Sequence, residues 1–118
     1  LIICDNIFQP LGYIVLFHSK PRGEFMPKAV WKDVVLAQSK KCEVVEGNTY
    51  IPPSTLNRQY FQDSFNSTKC GWKGVARYFH VVVGESVNKN AAWYYATPSS
   101  AAQNITGYVA FGKDVQVE

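Results

Sequence analysis

The chain has 118 residues, enough for one hydrophobic core and too few for two domains of ordinary size. Hydrophobic residues make up 47% of the sequence and aromatic residues 14%, which excludes a disordered chain. The formal net charge is +3, and because Lys and Arg are scattered along the chain, the charge gives no sign of a nucleic-acid-binding surface. We therefore expect one small domain whose core is rich in rings.

The cysteine content gives an expectation about compartment and metals. The chain has three cysteines, Cys4, Cys42 and Cys70, so at least one is unpaired. Secreted disulfide scaffolds carry an even and denser set, which favours a reducing, cytoplasmic location. There is no Cys-x-x-Cys pair, and the common phosphate-binding patterns are missing, so the sequence predicts neither a metal site nor a cofactor.

Residues 1–25 differ in character from the rest, because their apolar runs are broken by residues such as Asp5, Pro10 and Pro21. The interruptions leave no stretch of membrane-spanning length, and the segment lacks the basic start and cleavage site of a signal peptide. Met26 reads like a natural start. We expect residues 1–25 to be an N-terminal extension of a domain over 26–118; the alternative is that they form its first strand or two.

Beyond residue 28 the apolar residues recur with the period of two that is typical of strands. The polar pair Lys32-Asp33 separates the first two apolar runs, and Glu46-Gly47-Asn48 separates the next two. Each arrangement predicts a hairpin, with Gly47 available for a positive φ. The four strands expected are 29–31, 34–37, 42–45 and 49–51.

The middle of the chain predicts a helix and a loop. Pro52-Pro53 ends strand pairing because neither residue can donate a ladder hydrogen bond. Ser54 can cap a short helix over 55–62, although the composition of that segment makes it a weak helix former. Residues 63–74 show no periodicity and are predicted to form a long loop, a kind of segment that often carries function.

The C-terminal half returns to strands. Residues 75–83 alternate most clearly, and Gly84-Glu85 predicts a turn back into the next strand. The remaining expected elements are strands 86–88 and 91–95, a short helix over 99–104 and a closing hairpin of 108–111 with 115–117. The fold class predicted is mainly β: a single domain of short, mostly antiparallel, coiled sheets with one or two short helices.

The candidate catalytic residues lie in the predicted loop, where Cys70 and Lys73 are three residues apart between glycines. A nearby Lys lowers the pKa of a thiol because it stabilises the thiolate, so the spacing is typical of a nucleophilic, redox-active or ligand-contacting cysteine. The alternative is that Cys70 turns inward beneath Trp72 as a small core residue.

A second set of candidates concerns ligand binding. By alternation His80 shares a strand face with Tyr78, and a His beneath the preceding loop could act as a base; a hydrogen-bonded or exposed His is the alternative. Further on, an amide among rings predicts a pocket in which a flat ligand stacks; otherwise the rings are core and the amide is a turn or cap. The ligand-binding candidates are Trp72, Tyr78, His80, Asn90, Trp93 and Tyr95.

Four blocks of this sequence resemble, in order and spacing, the domain-of-unknown-function 427 family over about residues 26–118. The blocks are VVEGNTYIPP at 44–53, CGWKGVARY at 70–78, NAAWYY at 90–95 and ITGYVAF at 105–111. The family has Pro after the loop cysteine where this chain has Gly71, a change that loosens the backbone at Cys70.

The resemblance implies a compact domain of the β-tent type, the coiled-sheet architecture of Rab-binding exchange chaperones and methionine sulfoxide reductase B. Relatives of that architecture often hold zinc through two Cys-x-x-Cys pairs, which this sequence lacks. The family is sometimes labelled nucleotidyltransferase. We do not carry that label over as chemistry, because no Gly-Ser followed by an Asp-x-Asp pair is present to hold magnesium against a triphosphate.

These observations favour a domain that binds a small polar or anionic ligand, with Lys73 supplying a charge among rings. The alternatives are a thiol-based enzyme that uses Cys70 and a protein-interaction module without catalysis. Nucleic acid and membrane are not predicted as partners, and no oligomeric state follows from the sequence.

Overall fold

A computed structural model describes residues 26–118, and the predicted extension over residues 1–25 lies outside them. Nine strands and three 3-10 helical turns form the described part of the chain, and the strands within each sheet pair antiparallel. The strands are β1 Lys28–Trp31, β2 Val34–Gln38, β3 Glu43–Val45, β4 Asn48–Tyr50, β5 Phe61–Cys70, β6 Gly74–Val83, β7 Ser86–Tyr94, β8 Val109–Phe111 and β9 Gln116–Val117. The 3-10 turns are Pro53–Thr55, Arg58–Tyr60 and Ser100–Ile105. The predicted mainly antiparallel β fold is confirmed.

The first four strands form the two predicted hairpins. Lys32 and Asp33 join β1 to β2 with φ of 53° and 62°, and Glu46 and Gly47 join β3 to β4 with φ of 53° and 81°. Positive φ at both central residues gives the turn a twist that matches that of the flanking strands. Both hairpin predictions are therefore confirmed.

The two ends of the described domain are hydrogen-bonded to each other. β9 pairs with β1, and the N–H of Lys28 donates to the carbonyl of Glu118 (3.0 Å) while the N–H of Glu118 donates to the carbonyl of Lys28 (2.9 Å). The predicted closing hairpin of 108–111 with 115–117 is wrong, because β8 pairs with β7 instead. The residues between β8 and β9 carry the chain from one sheet to the other.

The four-stranded sheet has the order β5-β6-β7-β8 and is interrupted by two bulges. In β7 the register shifts around Asn90, which has a φ of 55°; the corresponding shift in β6 falls between Phe79 and Val81. The two strands predicted at 86–88 and 91–95 are thus one bulged strand. A similar shift occurs in β5 between Asp63 and Ser67.

The predicted loop over 63–74 is wrong, because most of it belongs to β5. This strand pairs only with β6 among the described strands, and most of its side chains are half-buried or exposed, so it shows no apolar alternation. The bulge also breaks the period of two that would have identified it. Phe65, within the bulged part, is fully exposed.

The predicted helix over 55–62 is also wrong. Two separate 3-10 turns occur, because Leu56 between them is extended, with ψ of 135°, and Asn57 has a ψ of 89°. The short helix predicted over 99–104 is present as the 3-10 segment Ser100–Ile105. Ser99 precedes it but does not cap it; its hydroxyl donates to the carbonyl of Trp72.

Both faces of the four-stranded sheet are covered, so the domain has two cores. Tyr78 and Phe79 are neighbours in β6, and their side chains enter opposite cores because successive residues of a strand alternate. The first core contains Ala29, Leu36, Ala37, Ile51, Leu56, Phe79, Val81, Ala91, Ala92, Val109 and Phe111. The second core contains Tyr50, Cys70, Ala76, Tyr78, Trp93, Tyr95, Ala102, Ile105 and Ala110. Within residues 26–118, no helix has the length and apolarity needed to cross a lipid bilayer.

Candidate functional site

Six of the eight candidate residues lie together at the second core. Cys70, Tyr78, Trp93 and Tyr95 are members of it, and Trp72 packs against it. Lys73 contacts the rings of the same region. His80 and Asn90 lie elsewhere in the sheet.

Lys73 carries a charged ammonium group but is buried, and it is surrounded by aromatic rings and one carboxylate. It has no exposed surface, and its Nζ lies 2.7 Å from Oε1 of Glu46, whose side chain is 8% exposed. The indole N–H of Trp72 donates to the other oxygen of Glu46 at 3.3 Å. The ring centroids of Tyr50, Trp72 and Tyr95 lie 5.9, 5.4 and 5.3 Å from Nζ. A buried ammonium requires such a counter-charge, and the ring faces add cation–π attraction. We call Glu46, Tyr50, Trp72, Lys73 and Tyr95 the Lys73 cage.

The two charged residues of the Lys73 cage lie in two different turns. Glu46 occupies the β3–β4 turn, and Lys73 ends the turn between β5 and β6. Gly74 follows with a φ of 114°, a conformation that residues with a side chain rarely adopt. The N–H of Ser99 donates to the carbonyl of Lys73 at 3.0 Å, which fixes the backbone there.

The other rings of the second core have their polar ends satisfied within the domain. The indole N–H of Trp93 donates to the hydroxyl of Tyr50 at 3.2 Å, and the hydroxyls of Tyr78 and Thr68 share a hydrogen bond of 2.9 Å. Trp93 is 1% exposed. This packing agrees with the alternative in which the rings of this set are core.

Cys70 is buried, and its sulfur takes part in a disulfide bond. Thiol chemistry at this position would therefore begin only after reduction. Disulfides are more typical of oxidising compartments, so the cytoplasmic location stays a prediction. Cys70 lies opposite Gly74 of β6, and His80 lies six residues further along that strand, a distance of about 20 Å. His80 is therefore too far from Cys70 to act as its base.

His80 and Asn90 form a separate polar group at the bulge of β7. The backbone N–H of Asn90 donates to Nδ1 of His80 at 3.0 Å, and the hydroxyl of Ser64 donates to Oδ1 of Asn90 at 2.5 Å. The contacts join β5, β6 and β7. They fit the alternatives of a hydrogen-bonded His and a turn-like Asn, since Asn is one of the residues that tolerate positive φ.

Cys42 is a free cysteine of the described domain. Its thiol donates to the carbonyl of Ser39 at 3.1 Å. Burial, together with the negative charge of Glu43, raises the pKa of the Cys42 thiol from 9.0 to about 11. The thiol is therefore protonated and unreactive at neutral pH.

A cavity of about 360 Å³ lies on the other side of the sheet, beside the first core. Its floor is formed by the sheet, where the rings of Phe79 and Tyr94 stack with centroids 4.9 Å apart and an interplanar angle of 24°. We call it the Phe79–Tyr94 cavity. It is lined by Pro53, Leu56, Arg58, Asp63, Phe79, Tyr94, Ala96, Gly107 and Val109.

The segment over residues 53–58 covers one side of the Phe79–Tyr94 cavity and is anchored to β2. The backbone N–H of Asn57 donates to the carbonyl of Leu36 at 2.9 Å, and its side-chain Nδ2 donates to the carbonyl of Val35 at 2.7 Å. Leu56 therefore points toward the first core while Arg58 remains at the rim.

Two opposite charges line this cavity without a partner. Arg58 and Asp63 are both exposed, and within residues 26–118 neither side chain has a hydrogen bond or an ion pair. Arg58 comes from the covering segment and Asp63 from β5 in the floor. The cavity thus combines an apolar, aromatic floor with one cation and one anion that can contact a bound molecule.

Comparison with known proteins places the chain in a family. The model of the family described as a domain of unknown function, DUF427, matches residues 26–118. The chain belongs to this family. The resemblance inferred from the four sequence blocks is therefore confirmed. No curated protein matches the chain.

The description of DUF427 assigns no activity, so the site must be argued from the residues of this DUF427 domain. Within residues 26–118, no three His, Cys, Asp or Glu side chains converge as a metal site would require. Sequence reasoning missed Glu46, Arg58, Asp63 and the stacked rings. No sequence signal singled out Glu46, because the equivalent position of the β1–β2 turn is held by Lys32, which is exposed and has the same φ of 53°.

Proposed function

We propose that this DUF427 domain binds a small organic molecule in the Phe79–Tyr94 cavity. The observation that carries the proposal is a cavity of about 360 Å³ with a stacked aromatic floor and unpaired polar groups at its rim. Ligand pockets are typically concave, mostly apolar and about 300–1,000 Å³, with a few polar groups that orient the ligand. The size favours a ligand near the small end of that range.

The Lys73 cage supports ligand binding less well, although the sequence pointed there. Lys73 is fully buried, and its charge is already matched by Glu46. An anionic ligand at Lys73 would have to replace this carboxylate and be desolvated itself, which is costly in a buried site. We therefore propose that the small ligand predicted from the sequence binds in the Phe79–Tyr94 cavity, on the face of the sheet opposite the Lys73 cage.

A thiol enzyme built on Cys70 gains no support from its surroundings. The sulfur is bonded, and His80 lies too far along β6 to act as its base. Catalysis by Cys70 and Lys73 stays a prediction from the sequence.

The test is a variant that fills the cavity. Ala96 lines it and is exposed, so Ala96→Trp should place an indole in the binding space without disturbing either core. Ala101→Trp is the matched control, since Ala101 is exposed in the Ser100–Ile105 turn and does not line the cavity. Both variants and the unmodified chain are screened against a broad metabolite library by thermal shift, because a ligand that binds the native state raises Tm.

We expect compounds that raise the Tm of the unmodified chain and of Ala101→Trp but not of Ala96→Trp. In two-dimensional NMR spectra the same compounds should shift the backbone amides of Phe79 and Tyr94. Hits that stabilise Ala96→Trp equally, or a library without any hit, would refute the proposal.

A further inference from the structure

The inference concerns the chemical class of the ligand and rests on the proposed function. The cavity presents its two charges from different elements: Arg58 ends the covering segment, and Asp63 lies in β5 next to Phe79 of β6. Neither charge is neutralised by another side chain of the described domain. A molecule in the cavity can therefore meet both a guanidinium and a carboxylate.

Each of these groups selects a complementary charge. A guanidinium offers a planar fork of donors that matches a carboxylate, and a carboxylate accepts hydrogen bonds from an ammonium. A ligand that carried only an anion would face Asp63, and one that carried only a cation would face Arg58. Such like-charge contacts discriminate against both.

Apart from the hydroxyl of Tyr94, the other side chains of the lining are apolar. The stacked rings, Leu56 and Val109 offer a surface that favours a hydrocarbon or aromatic body. A nucleoside triphosphate does not fit this lining, because Arg58 is the one cation among the described lining residues and cannot balance several phosphate charges.

We infer that the ligand is a zwitterion with an apolar body, that is, a free α-amino acid with an aromatic or branched aliphatic side chain. In this arrangement Arg58 binds the carboxylate, Asp63 binds the ammonium, and the side chain packs on Phe79 and Tyr94. A residue inside a peptide does not satisfy the same site, because its amine and carboxyl groups are consumed in peptide bonds.

The experiment uses the full chain, isotope-labelled, and four aromatic probes. They are L-phenylalanine, 3-phenylpropionate without the amine, 2-phenylethylamine without the carboxylate, and the uncharged N-acetyl-L-phenylalanine amide; L-leucine tests the aliphatic case. Binding is measured from the shifts of the Phe79 and Tyr94 amides. We expect L-phenylalanine to bind at least tenfold more tightly than each of its three analogues.

Two variants assign the charges. Arg58→Gln should remove the preference for L-phenylalanine over 2-phenylethylamine, and Asp63→Asn should remove the preference over 3-phenylpropionate. Lys89→Gln and Asp33→Asn are the matched controls, because both residues are exposed and lie outside the cavity lining. The controls should keep both preferences.

The outcomes separate this inference from the function on which it rests. If the uncharged analogue binds as tightly as L-phenylalanine, the inference is overturned and the cavity remains a binding site. If no probe shifts the amides, the amino-acid class is overturned, and the Ala96→Trp screen decides separately whether the cavity binds another small molecule. Preferences that survive both charge variants would also overturn the assignment.

Discussion

Nζ of Lys73 lies 2.7 Å from Oε1 of Glu46, and the two residues belong to turns of different sheets. The ion pair thus links the two-stranded β3–β4 sheet to the four-stranded sheet. Both charges are buried, and each supplies a counter-charge to the other. The contact predicts that the two side chains contribute cooperatively to the free energy of unfolding, and a double-mutant cycle can measure this coupling.

Lys73→Met should destabilise the domain by about 3–5 kcal/mol, because it removes the ammonium that lies 2.7 Å from the buried carboxylate of Glu46. Glu46→Gln should also lower the free energy of unfolding, because it removes the carboxylate charge beside the buried ammonium of Lys73. The double variant should lose less free energy of unfolding than the sum of the losses in the two single variants. Urea unfolding of all three gives the coupling energy. Lys69→Met, at an exposed Lys of the neighbouring strand, is the control and should stay within about 0.5 kcal/mol. Additive losses would contradict a coupled pair.

The Cys42 thiol should react slowly with iodoacetamide. Its pKa of about 11, raised from 9.0 by burial and by Glu43, leaves about one hundredth of the thiolate that the unfolded chain has at pH 8. Mass spectrometry of the peptide that contains Cys42 measures the rate in native protein and in urea. Equal rates in the two states would show that the folded domain does not raise the pKa.

The same pKa has a consequence for stability. Because the folded pKa lies above the unfolded value, the protonated thiol contributes stability that is complete below pH 9 and is lost as pH rises toward 11. Cys42→Ala should therefore show a smaller loss of stability across this window than the unmodified chain. An identical pH profile for both would contradict the assignment.

Asn57→Ala should loosen the segment that covers the Phe79–Tyr94 cavity. The change removes the hydrogen bond from Nδ2 to the carbonyl of Val35, which is worth about 0.5–1.5 kcal/mol. Hydrogen exchange of the amides over residues 53–60 should accelerate, while exchange in β6 should not. Asn66→Ala is the control, because Asn66 is exposed and uses its backbone N–H in its contact with Ser64. Uniform acceleration across the domain would indicate global destabilisation instead.

Asn90→Val should destabilise the bulge of β7. The backbone of Asn90 is left-handed, which costs a residue with a side chain about 1–2 kcal/mol and a β-branched residue more. Asn90→Gly should relieve that strain while losing only the contact with Ser64. Urea unfolding should therefore give Asn90→Gly a higher free energy of unfolding than Asn90→Val. Both variants lose the contact with Ser64, so the reverse order would contradict the left-handed backbone as the cause of the difference.

The sequence was sufficient for the parts of the fold that depend on local chemistry. The hairpin turns at Lys32-Asp33 and Glu46-Gly47 follow from polar pairs between apolar runs, and β6 follows from its alternation. β5 could not be recognised, because its place at the edge of the sheet formed by residues 26–118 and its bulge remove the alternation on which such a prediction depends. The partner of β9 could not be found either, since pairing with β1 is a contact between the two ends of the domain.

The candidate site was predictable only in part, for a similar reason. The proximity of Cys70, Trp72 and Lys73 in sequence indicated a cluster, and the structure brings them together. The sequence could not reveal that the ammonium of Lys73 forms an ion pair with Glu46, which lies 27 residues earlier. The Phe79–Tyr94 cavity depends on side chains from four strands and a covering segment, so no single stretch of sequence encodes it.

The pairing of Lys28 with Glu118 has a consequence for engineering this domain. Two hydrogen bonds hold these residues side by side, so a linker of a few residues would span the gap. A circularly permuted chain could then open at the exposed Gly84-Glu85 turn, where no core side chain is interrupted. In such a chain, made from residues 26–118, the new ends would lie at this turn, away from the β1–β9 edge, and a reporter could be attached there.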